Sequence, residues 1–488
     1  MGLVTWMLLL SLFGASVLWV VRGDAVKPIA LVLSVAIFGL ATLAALTFQP
    51  GAPGYQFVDA ASWVPQIGVQ YKVGVDGISL PMLWLTALLT MLVVIFSWNV
   101  ADRAYFSLFF LLQLAVIGVF TALDLFLFYV FWELVLVPMY FIIRGWGGER
   151  KEYAAVKFFV YTFTASLVML VGVMALYFST GAQTFDITQL AGMAPDLARN
   201  TQVLIFAALF IGFLVKMPQV PVHTWLPDAH VQAPTGGSVI LAGVLLKLGS
   251  YGLIRVSLPL LPEGAQAFVP VMVVLGVLSI LYAALVCLAQ SDLKRLVAYS
   301  SISHMGMVLL GTAVLGQAGV TAAVYMMFAH GLISGLLFMI VGAIHHGAGT
   351  REIPKLGGLA LTAPKAGFII MAGSLASLGL PGMVQFVAEF TVFASAFVAF
   401  GWWILLPVLT VVLTAGYYLW ALKRSMFGQL TPIAEASHDV KPYEFWPMMA
   451  LVALIIVFGV VPAVWMGPID AAVAQNVLEP ILTLGVKP

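Results

Sequence analysis

Long apolar runs alternate with short polar segments along the whole chain. A helix needs about 20 apolar residues to cross a bilayer, and fourteen runs come close to that length. Their predicted limits are about 2–21, 28–48, 78–99, 104–122, 124–143, 154–178, 202–221, 235–257, 267–289, 297–316, 320–345, 366–390, 400–422 and 446–466. The longest gaps, near 49–77, 179–201 and 423–445, are predicted to be loops. The pattern predicts an all-α polytopic membrane protein with about 14 transmembrane helices.

Composition points to the lipid bilayer as the main surrounding of the chain. Of 488 residues, 62% are hydrophobic and 8% are charged, whereas a soluble domain carries about 25% charged residues. A net charge of +1 gives no field that would attract nucleic acid. The single cysteine, Cys287, excludes a disulfide framework and a Cys-ligated iron–sulfur cluster. The first apolar run has no preceding basic segment, so we interpret it as a retained span rather than a signal peptide.

Basic residues are distributed unequally between the two sets of loops. Fifteen Lys or Arg residues lie near the loops after odd-numbered spans, and four lie on the opposite side. Because cytoplasmic loops carry an excess of basic residues, the odd-numbered loops are expected to face the cytoplasm. Both termini are then expected on the other side. Two lysines, Lys216 and Lys247, remain, and both fall inside apolar spans.

Six ionisable side chains fall inside the predicted helices, where a charge costs at least about 2.5–3.5 kcal/mol. They are Glu133, Lys216, Lys247, His304, His330 and Glu389. A structural ion pair between Glu133 and a lysine would explain two of them. One ion pair leaves the other four groups unexplained. Ionisable groups inside a membrane usually mark ion or proton pathways. The set therefore predicts proton transport, in which separation of a Glu–Lys pair changes the proton affinity of the lysine.

The histidines are weaker indicators than the lysines and glutamates. A histidine inside a membrane is often a hydrogen-bonded packing residue rather than a proton carrier. We favour a relay role for His304 and His330, because they lie between the spans that carry the lysines and the span that carries Glu389.

The seventh predicted span is interrupted beside its lysine. Pro218 and Pro221 cannot donate hydrogen bonds, so the carbonyls of Leu214 and Met217 lose their usual helical partners. A packing kink is one explanation. Because free carbonyls in lipid need protein or water as partners, we expect the break, including His223, to line a hydrated cavity beside the lysine.

The twelfth predicted span has a similar interruption. Gly379, Pro381 and Gly382 precede Glu389 by a few residues. Two interrupted helices, each with a charge beside the break, fit the discontinuous helices of transporters better than two unrelated kinks.

The two breaks also predict an internal repeat. They lie five spans apart, and an odd offset reverses the direction of a helix across the membrane. We therefore expect two inverted five-helix repeats, spans 4–8 and 9–13. The predicted segments are 1–103 for the first three helices, 104–257 for the first repeat, 267–422 for the second repeat and 423–488 for the last loop, helix 14 and the tail.

Four sequence segments carry a resemblance to a known family. They are FYVFWELVLVPMYFIIRGWGG, KMPQVPVHTWLPDAHVQAPTGGSVILAGVLLKLGSYGLIR, SDLKRLVAYSSISHMG and FAHGLISGLLFM. Together they resemble the antiporter-like membrane subunits of proton-pumping NADH:quinone oxidoreductase, respiratory complex I. The resemblance covers about residues 70–425. FWELVLVPMY and the glutamate of the twelfth span resemble the M type, called subunit 4 in mitochondria. Hydrogenase membrane subunits and multisubunit sodium/proton antiporters belong to the same family.

The resemblance implies roles for the matching residues and for the surroundings of the chain. Glu133 would pair with Lys216, a proton carrier, and Lys247 would connect through His304 and His330 to Glu389 on the exit side. NADH oxidation and quinone reduction, with FMN and iron–sulfur clusters, would occur in other subunits, and this chain would hold no cofactor or metal. Expected partners are other complex I membrane subunits, including paralogous antiporter-like chains. The expected location is a bacterial cytoplasmic membrane in preference to a mitochondrial inner membrane.

Other functions remain open from the sequence. A stand-alone or multisubunit cation/proton antiporter, or a transporter of an organic solute, would share the broken helices and inverted repeats. A structural scaffold would need no proton route. A haem held between His304 and His330 is conceivable, although the sequence has no dinucleotide fingerprint and no metal-ligand cluster.

Overall fold

The computed structural model describes residues 2–100, 102–479 and 481. Within this part of the chain, thirteen helices are long and apolar enough to cross a membrane. An interrupted helix at 364–400 supplies a fourteenth span. The prediction of an all-α polytopic membrane protein is confirmed. The end of the predicted last segment, from residue 482 to Pro488, lies outside the described residues.

We number the spans in chain order. Spans 1 to 7 are Leu3–Val20, Val26–Thr47, Ser79–Phe96, Arg103–Thr121, Leu125–Trp146, Lys151–Thr180 and Arg199–Lys216. Spans 8 to 11 are Thr235–Leu260, Pro262–Leu288, Leu293–Ala313 and Gln317–Ala348. Span 12 has two halves, Pro364–Ser377 and Val384–Phe400. Spans 13 and 14 are Trp402–Ser425 and Pro442–Val460, followed by the shorter helix Ala463–Val473.

Spans 8 and 11 form the centre of the bundle. Their most apolar 18-residue windows are 100% buried, compared with 28% for span 2. These two central spans carry Lys247 and His330. These two ionisable groups are therefore surrounded by protein rather than by lipid.

Span 7 is interrupted where the sequence predicts. It ends at Lys216 and continues, after an irregular segment, as the helix Trp225–Gln232. The carbonyl of Leu214 accepts a hydrogen bond from the backbone N–H of Gln219 at 3.2 Å. The side-chain amide of Gln219 donates to the carbonyl of Met217 at 2.8 Å. Protein therefore satisfies both carbonyls, and the hydrated cavity expected beside Lys216 stays a prediction.

Span 12 is interrupted at the predicted glycines and proline. Gly379 and Gly382 have φ angles of +77° and +90°, a region that glycine occupies without steric cost. The break around Pro381 separates a first half that ends at Ser377 from a second half that carries Glu389. Glu389 therefore lies on the second half, about one and a half turns past its start at Val384.

Span 5 contains a break that the sequence analysis does not predict. It consists of Leu125–Leu134 and Leu136–Trp146, joined at Val135. Pro138 has no N–H to donate to the carbonyl of Leu134, which accounts for the position of the break. Glu133 therefore lies in the last turn of the first half-helix.

Span 8 departs from regular α-helix on both sides of its lysine. Leu241–Leu245 and Leu253–Ser257 are π-helical, and Lys247 lies between them. Single π-helical turns are rare and are frequent at functional sites. This feature was not predicted, because it depends on packing in the centre of the bundle.

The predicted loop near 49–77 contains an antiparallel β-hairpin. Its strands are Gln56–Val64 and Val69–Val75. Aromatic and β-branched residues in both strands favour extended backbone, and Pro65 begins the turn between them. The hairpin was predicted as a loop because the search was for apolar runs long enough to cross a bilayer as helices.

Contacts between loops agree with the expected alternation of sides. Lys72, after span 2, lies 2.7 Å from Asp186, after span 6. Arg351, after span 11, lies 2.7 Å from Asp292, after span 9. Loops after even-numbered spans thus contact one another, as do loops after odd-numbered spans. We call the end with the odd-numbered loops, which the charge bias predicts to be cytoplasmic, the basic end.

Candidate functional site

Lys216 lies in a buried aromatic pocket at the end of the first half of span 7. Its Nζ is 5.5 Å from the ring centre of Trp132 and 5.7 Å from that of Phe158. Ring faces attract a cation at such distances. The Nζ atom is buried and has no hydrogen-bond partner among the described residues. The aromatic faces therefore hold the ammonium without fixing its proton in a hydrogen bond.

Glu133 is adjacent to this pocket through its neighbour Trp132. Its Oε1 atom is buried and accepts no hydrogen bond within the described part of the chain. The carboxylate is the acidic group that acts electrostatically on Lys216. The six ion pairs formed by described residues do not include this pair. The arrangement thus brings the two groups into one region but leaves them separated, as a pair that can open and close requires.

Lys247 is fully buried and is hydrogen-bonded to a histidine of span 11. Its Nζ donates to the carbonyl of Ala242, in the first π-helical turn. It also lies 2.7 Å from Nδ1 of His330. The His330 ring is in turn 5.3 Å from the ring of His304, centre to centre, at 61°. Lys247, His330 and His304 therefore form a contact series across spans 8, 11 and 10.

Gln385 extends this series to span 12. Its Nε2 lies 3.0 Å from Nε2 of His304 and donates to the carbonyl of Ser377 at 2.6 Å. Residues four apart lie on the same face of a helix, which places Gln385 one turn before Glu389. The amide is also a polar neighbour of the Glu389 carboxyl group. The full order is Lys247, His330, His304, Gln385 and Glu389.

The structure thus brings four of the six predicted groups into one series. The expected connection from Lys247 to Glu389 is present in space, with His330 next to the lysine and His304 closer to Glu389. Both histidines already contact other polar side chains, Lys247 and Gln385. These contacts do not support the alternative of a haem between the two rings.

Spans 7 and 8 pack closely beside the break in span 7, in the interval between Lys216 and Lys247. A Cβ atom at Gly249 would lie 2.5 Å from the carbonyl oxygen of Phe213 and 2.7 Å from the amide nitrogen of Met217. The helices that carry Lys216 and Lys247 are therefore in direct backbone contact. Among the described residues, no series of side-chain hydrogen bonds connects Lys216 with Lys247.

His223 lies toward span 9 rather than in the series. Its ring is 5.3 Å from Tyr282 and 6.4 Å from Tyr299, centre to centre. The structure therefore places His223 in the predicted break, against aromatic side chains of spans 9 and 10.

Sequence analysis missed Gln385, because only ionisable groups were sought within the spans. An amide four residues before a buried glutamate, in an otherwise apolar half-helix, was the available signal. It also missed His230, which is fully buried with neither ring nitrogen bonded to a described residue. Among the described residues, three or more His, Cys, Asp or Glu side chains are nowhere grouped so as to hold a metal ion.

Substitution of Gly379 by alanine is expected to lower proton translocation at least about tenfold. An added Cβ would lie 2.7 Å from Oε2 of Glu389, so the carboxylate must leave its position beside the break. Gly382→Ala is the matched control, because it introduces comparable backbone strain at φ +90° but meets no atom within 4 Å. Both changes should cost about 1 kcal/mol or more of stability. Equal translocation by the two variants, measured in reconstituted vesicles, would contradict the placement of Glu389.

A family model matches the part of the chain that carries this series. Its description is NADH:quinone oxidoreductase/Mrp antiporter, TM, and the match covers residues 122–414. The chain belongs to this family. The matched region begins before Glu133 and ends after Glu389, so all six predicted groups lie within it.

Curated relatives within this antiporter-like family share most of the chain. F(420)H(2) dehydrogenase subunit M of Methanosarcina mazei is 43% identical over 443 residues, covering 88% of each protein. NADH-quinone oxidoreductase subunit M of Rhodobacter capsulatus is 43% identical over 469 residues, covering 92% of this chain and 90% of the relative. The predicted resemblance to M-type antiporter-like subunits is confirmed.

The fold also agrees with a solved member of a respiratory complex. A chain of respiratory complex I from Thermus thermophilus with bound NADH superposes with a TM-score of 0.90 and 29% sequence identity. The superposition covers 98% of this chain and 99% of that chain. This antiporter-like chain is therefore a membrane subunit of the complex I type.

Proposed function

We propose that this chain translocates protons through Glu133, Lys216, Lys247, His330, His304 and Glu389 as a membrane subunit of NADH:quinone oxidoreductase. The observation that carries the proposal is the contact series from Lys247 to Gln385 in the fully buried centre of the bundle. Buried ionisable groups are costly, and their placement in mutual contact supports a shared role in moving a proton.

The Glu133–Lys216 pair supplies the coupling step in this proposal. A carboxylate that approaches the lysine favours its charged form, and one that withdraws favours release of the proton. Moving a proton against 100 mV requires about 2.3 kcal/mol. Rearrangement of one ion pair in a low-dielectric pocket supplies energy of this order. A signal from neighbouring subunits that displaces Glu133 would thus drive a proton from Lys216 toward Lys247.

The domain division 1–103, 104–257, 267–422 and 423–488 forms part of the same proposal. Two matching features support inverted repeats at 104–257 and 267–422. Asp124 caps the N-terminus of span 5 and forms an isolated antiparallel bridge with Asp186, after span 6. Asp292 caps span 10 and forms the corresponding bridge with Glu352, after span 11.

The proposed partners are other membrane subunits of the same complex, including paralogous antiporter-like chains. FMN, iron–sulfur clusters and quinone belong, in this proposal, to neighbouring subunits. The proposed location is a bacterial cytoplasmic membrane. The names of the relatives support an oxidoreductase complex over the alternative, a stand-alone cation/proton antiporter.

Purification of the chain from its native membrane tests this assignment. We expect it in a large assembly that oxidises NADH, reduces quinone and acidifies one side of sealed vesicles. The purified chain alone, in liposomes with an imposed sodium gradient, should show no sodium-dependent proton movement. Sodium/proton exchange by the isolated chain, without an associated NADH oxidation activity, would favour the antiporter instead.

A further inference from the structure

Gln385 is hydrogen-bonded across the break in span 12. Its side chain is fully buried at the start of the second half-helix. The amide nitrogen, Nε2, donates to the carbonyl of Ser377 at 2.6 Å, and Ser377 is the last residue of the first half-helix. The same nitrogen lies 3.0 Å from Nε2 of His304. One amide group thus joins both halves of span 12 to a histidine of the contact series.

The Ser377 carbonyl fixes the orientation of this amide. A carbonyl oxygen only accepts hydrogen bonds, so the group of Gln385 that faces it is the NH2 and not the amide oxygen. An amide nitrogen cannot accept a hydrogen bond. Nε2 of His304 must therefore accept from the second N–H of the amide and carries no proton. The hydrogen bond at one ring nitrogen decides which nitrogen is protonated, so neutral His304 holds its proton on Nδ1.

A set of buried hydroxyl groups holds the Ser377 end of the break in place. The Ser377 hydroxyl donates to the hydroxyl of Tyr418, in span 13, at 2.9 Å. The Tyr418 hydroxyl donates in turn to that of Ser300 at 3.1 Å. Ser300 lies on span 10, one turn closer to the basic end than His304. The acceptor of the Gln385 amide is therefore tied to the same span that carries the imidazole.

Two polar atoms beside this contact are buried and have no hydrogen-bond partner among the described residues. They are Oε1 of Gln385 and Nδ1 of His304, whereas buried polar atoms are normally paired. Rotation of the amide by half a turn would bring Oε1 next to Nε2 of the imidazole. The oxygen only accepts, so this orientation favours a proton on Nε2. The two orientations of one amide therefore select opposite tautomers of His304.

Protonation of His304 is incompatible with the observed orientation of the amide. An imidazolium has an N–H at both ring nitrogens, and its Nε2–H would then face the N–H of Gln385. Only the rotated amide offers an acceptor to that group. A proton can therefore reside on His304 only after the amide has turned away from the Ser377 carbonyl.

We propose that Gln385 gates proton transfer through His304 by rotation of its amide. This inference rests on the proposed proton translocation and adds the residue that controls one of its steps. With the amide rotated, an N–H bond of His330 breaks as one forms at Nδ1 of His304. The Nε2–H bond of His304 then breaks as an O–H bond forms on the Glu389 carboxylate. His304 is left neutral with its proton on Nδ1, and the amide returns to donate to the vacated Nε2.

The observed structure corresponds to the closed state of this gate. The lone pair of His304 Nε2 is occupied by an N–H donor, so a proton on Glu389 cannot return through it. Gln385 is a positioning residue in this account, because an amide does not itself carry the proton. A purely structural tie between the two half-helices would not make proton return depend on His304.

The first measurement is passive proton flow through the intact complex in sealed vesicles, with an imposed pH gradient and no NADH. Gln385→Met keeps an unbranched side chain of similar volume and should raise this flow at least about threefold over wild type. Addition of His304→Phe to Gln385→Met should return the flow to the wild-type level, because the leak passes through the imidazole. Thr391→Val is the matched control on the same half-helix. It removes a hydroxyl that donates to the carbonyl of Val387 at 2.7 Å and should leave the flow unchanged.

The second measurement determines the tautomer of His304 by nitrogen-15 NMR of the intact complex with labelled histidine. The signal that disappears in His304→Phe identifies this residue. We expect a neutral imidazole with its proton on Nδ1 in the resting wild type. Gln385→Met should give a mixture of both tautomers, because no amide remains to select one.

A resting wild-type His304 that carries a proton on Nε2 would overturn the inference. An increase in passive flow below threefold in Gln385→Met would do so as well, and so would a raised flow that persists after His304→Phe. If Gln385→Met does not assemble, the tautomer of the wild type still decides the question. The proposed function fails separately, if Lys216→Met translocates protons at the wild-type rate during NADH oxidation.

Discussion

Replacement of Lys247 by methionine is expected to reduce NADH-driven proton translocation about 100-fold while the complex still assembles. Lys247 begins the contact series and lies 2.7 Å from His330. Without an amine at this position, a proton must cross an apolar gap at a cost of at least ~2.5–3.5 kcal/mol. Each ~1.36 kcal/mol added to a barrier lowers a rate tenfold. Methionine fills a similar volume, so packing in span 8 should persist.

Ser250→Ala is the matched control for this substitution. Ser250 is a fully buried polar residue of the same span, and its hydroxyl has no partner among the described residues. Its loss removes a polar atom near Lys247 without removing a titratable group. Equal losses from Lys247→Met and Ser250→Ala would show that disturbance of span 8, rather than loss of the amine, stops translocation.

Loss of the Lys216 amine is expected to have a comparable effect, and its combination with Glu133→Gln should add nothing. Glu133→Gln alone should lower translocation less than Lys216→Met, because the amine remains able to carry a proton. Residues that act as a unit have non-additive effects on rates. The double variant should therefore match Lys216→Met within about twofold. Translocation rates in vesicles, normalised to the amount of assembled complex, provide the comparison.

Lys151→Met controls for removal of a lysine from span 6, which packs against span 7. Lys151 begins span 6, and its ammonium donates to the carbonyl of Gly145 at 3.3 Å in an exposed position. The complex with Lys151→Met should translocate protons at the wild-type rate. If the effects of Glu133→Gln and Lys216→Met multiply in the double variant, the two residues act independently and the coupling step is wrong.

Hydropathy was sufficient to predict the fourteen spans, because the bilayer imposes both length and polarity on each one. The breaks in spans 7 and 12 were also predictable, since Pro218 and Pro381 remove helical donors wherever they occur. The break in span 5 followed from the same chemistry at Pro138. It was overlooked because a single proline interrupts an apolar run that continues on both sides of it.

The π-helical turns around Lys247 could not be predicted from local sequence. Such turns depend on how a central helix packs against its neighbours, which apolar periodicity does not report. Proximity of His304 to Gln385 likewise depends on the relative position of spans 10 and 12. Sequence identified which groups are unusual in a membrane, and tertiary packing decided which of them touch.

Lys294 shows how a boundary error hid a buried lysine. The predicted tenth span began near residue 297, which assigned Lys294 to a loop. The helix begins at Leu293, because Asp292 accepts a hydrogen bond from the backbone N–H of Arg295 as an N-cap. Asp is among the residues that N-caps prefer. Recognition of that cap would have moved the lysine inside the span.

The interval between Lys216 and Lys247 is the most direct test of the central claim, that buried titratable groups form a continuous proton route. An experimental map of the intact complex that resolves water molecules would measure it. The account predicts a hydrogen-bonded string of water between the two ammonium groups, along the contact of spans 7 and 8. Apolar side chains packed without water across that interval would contradict it.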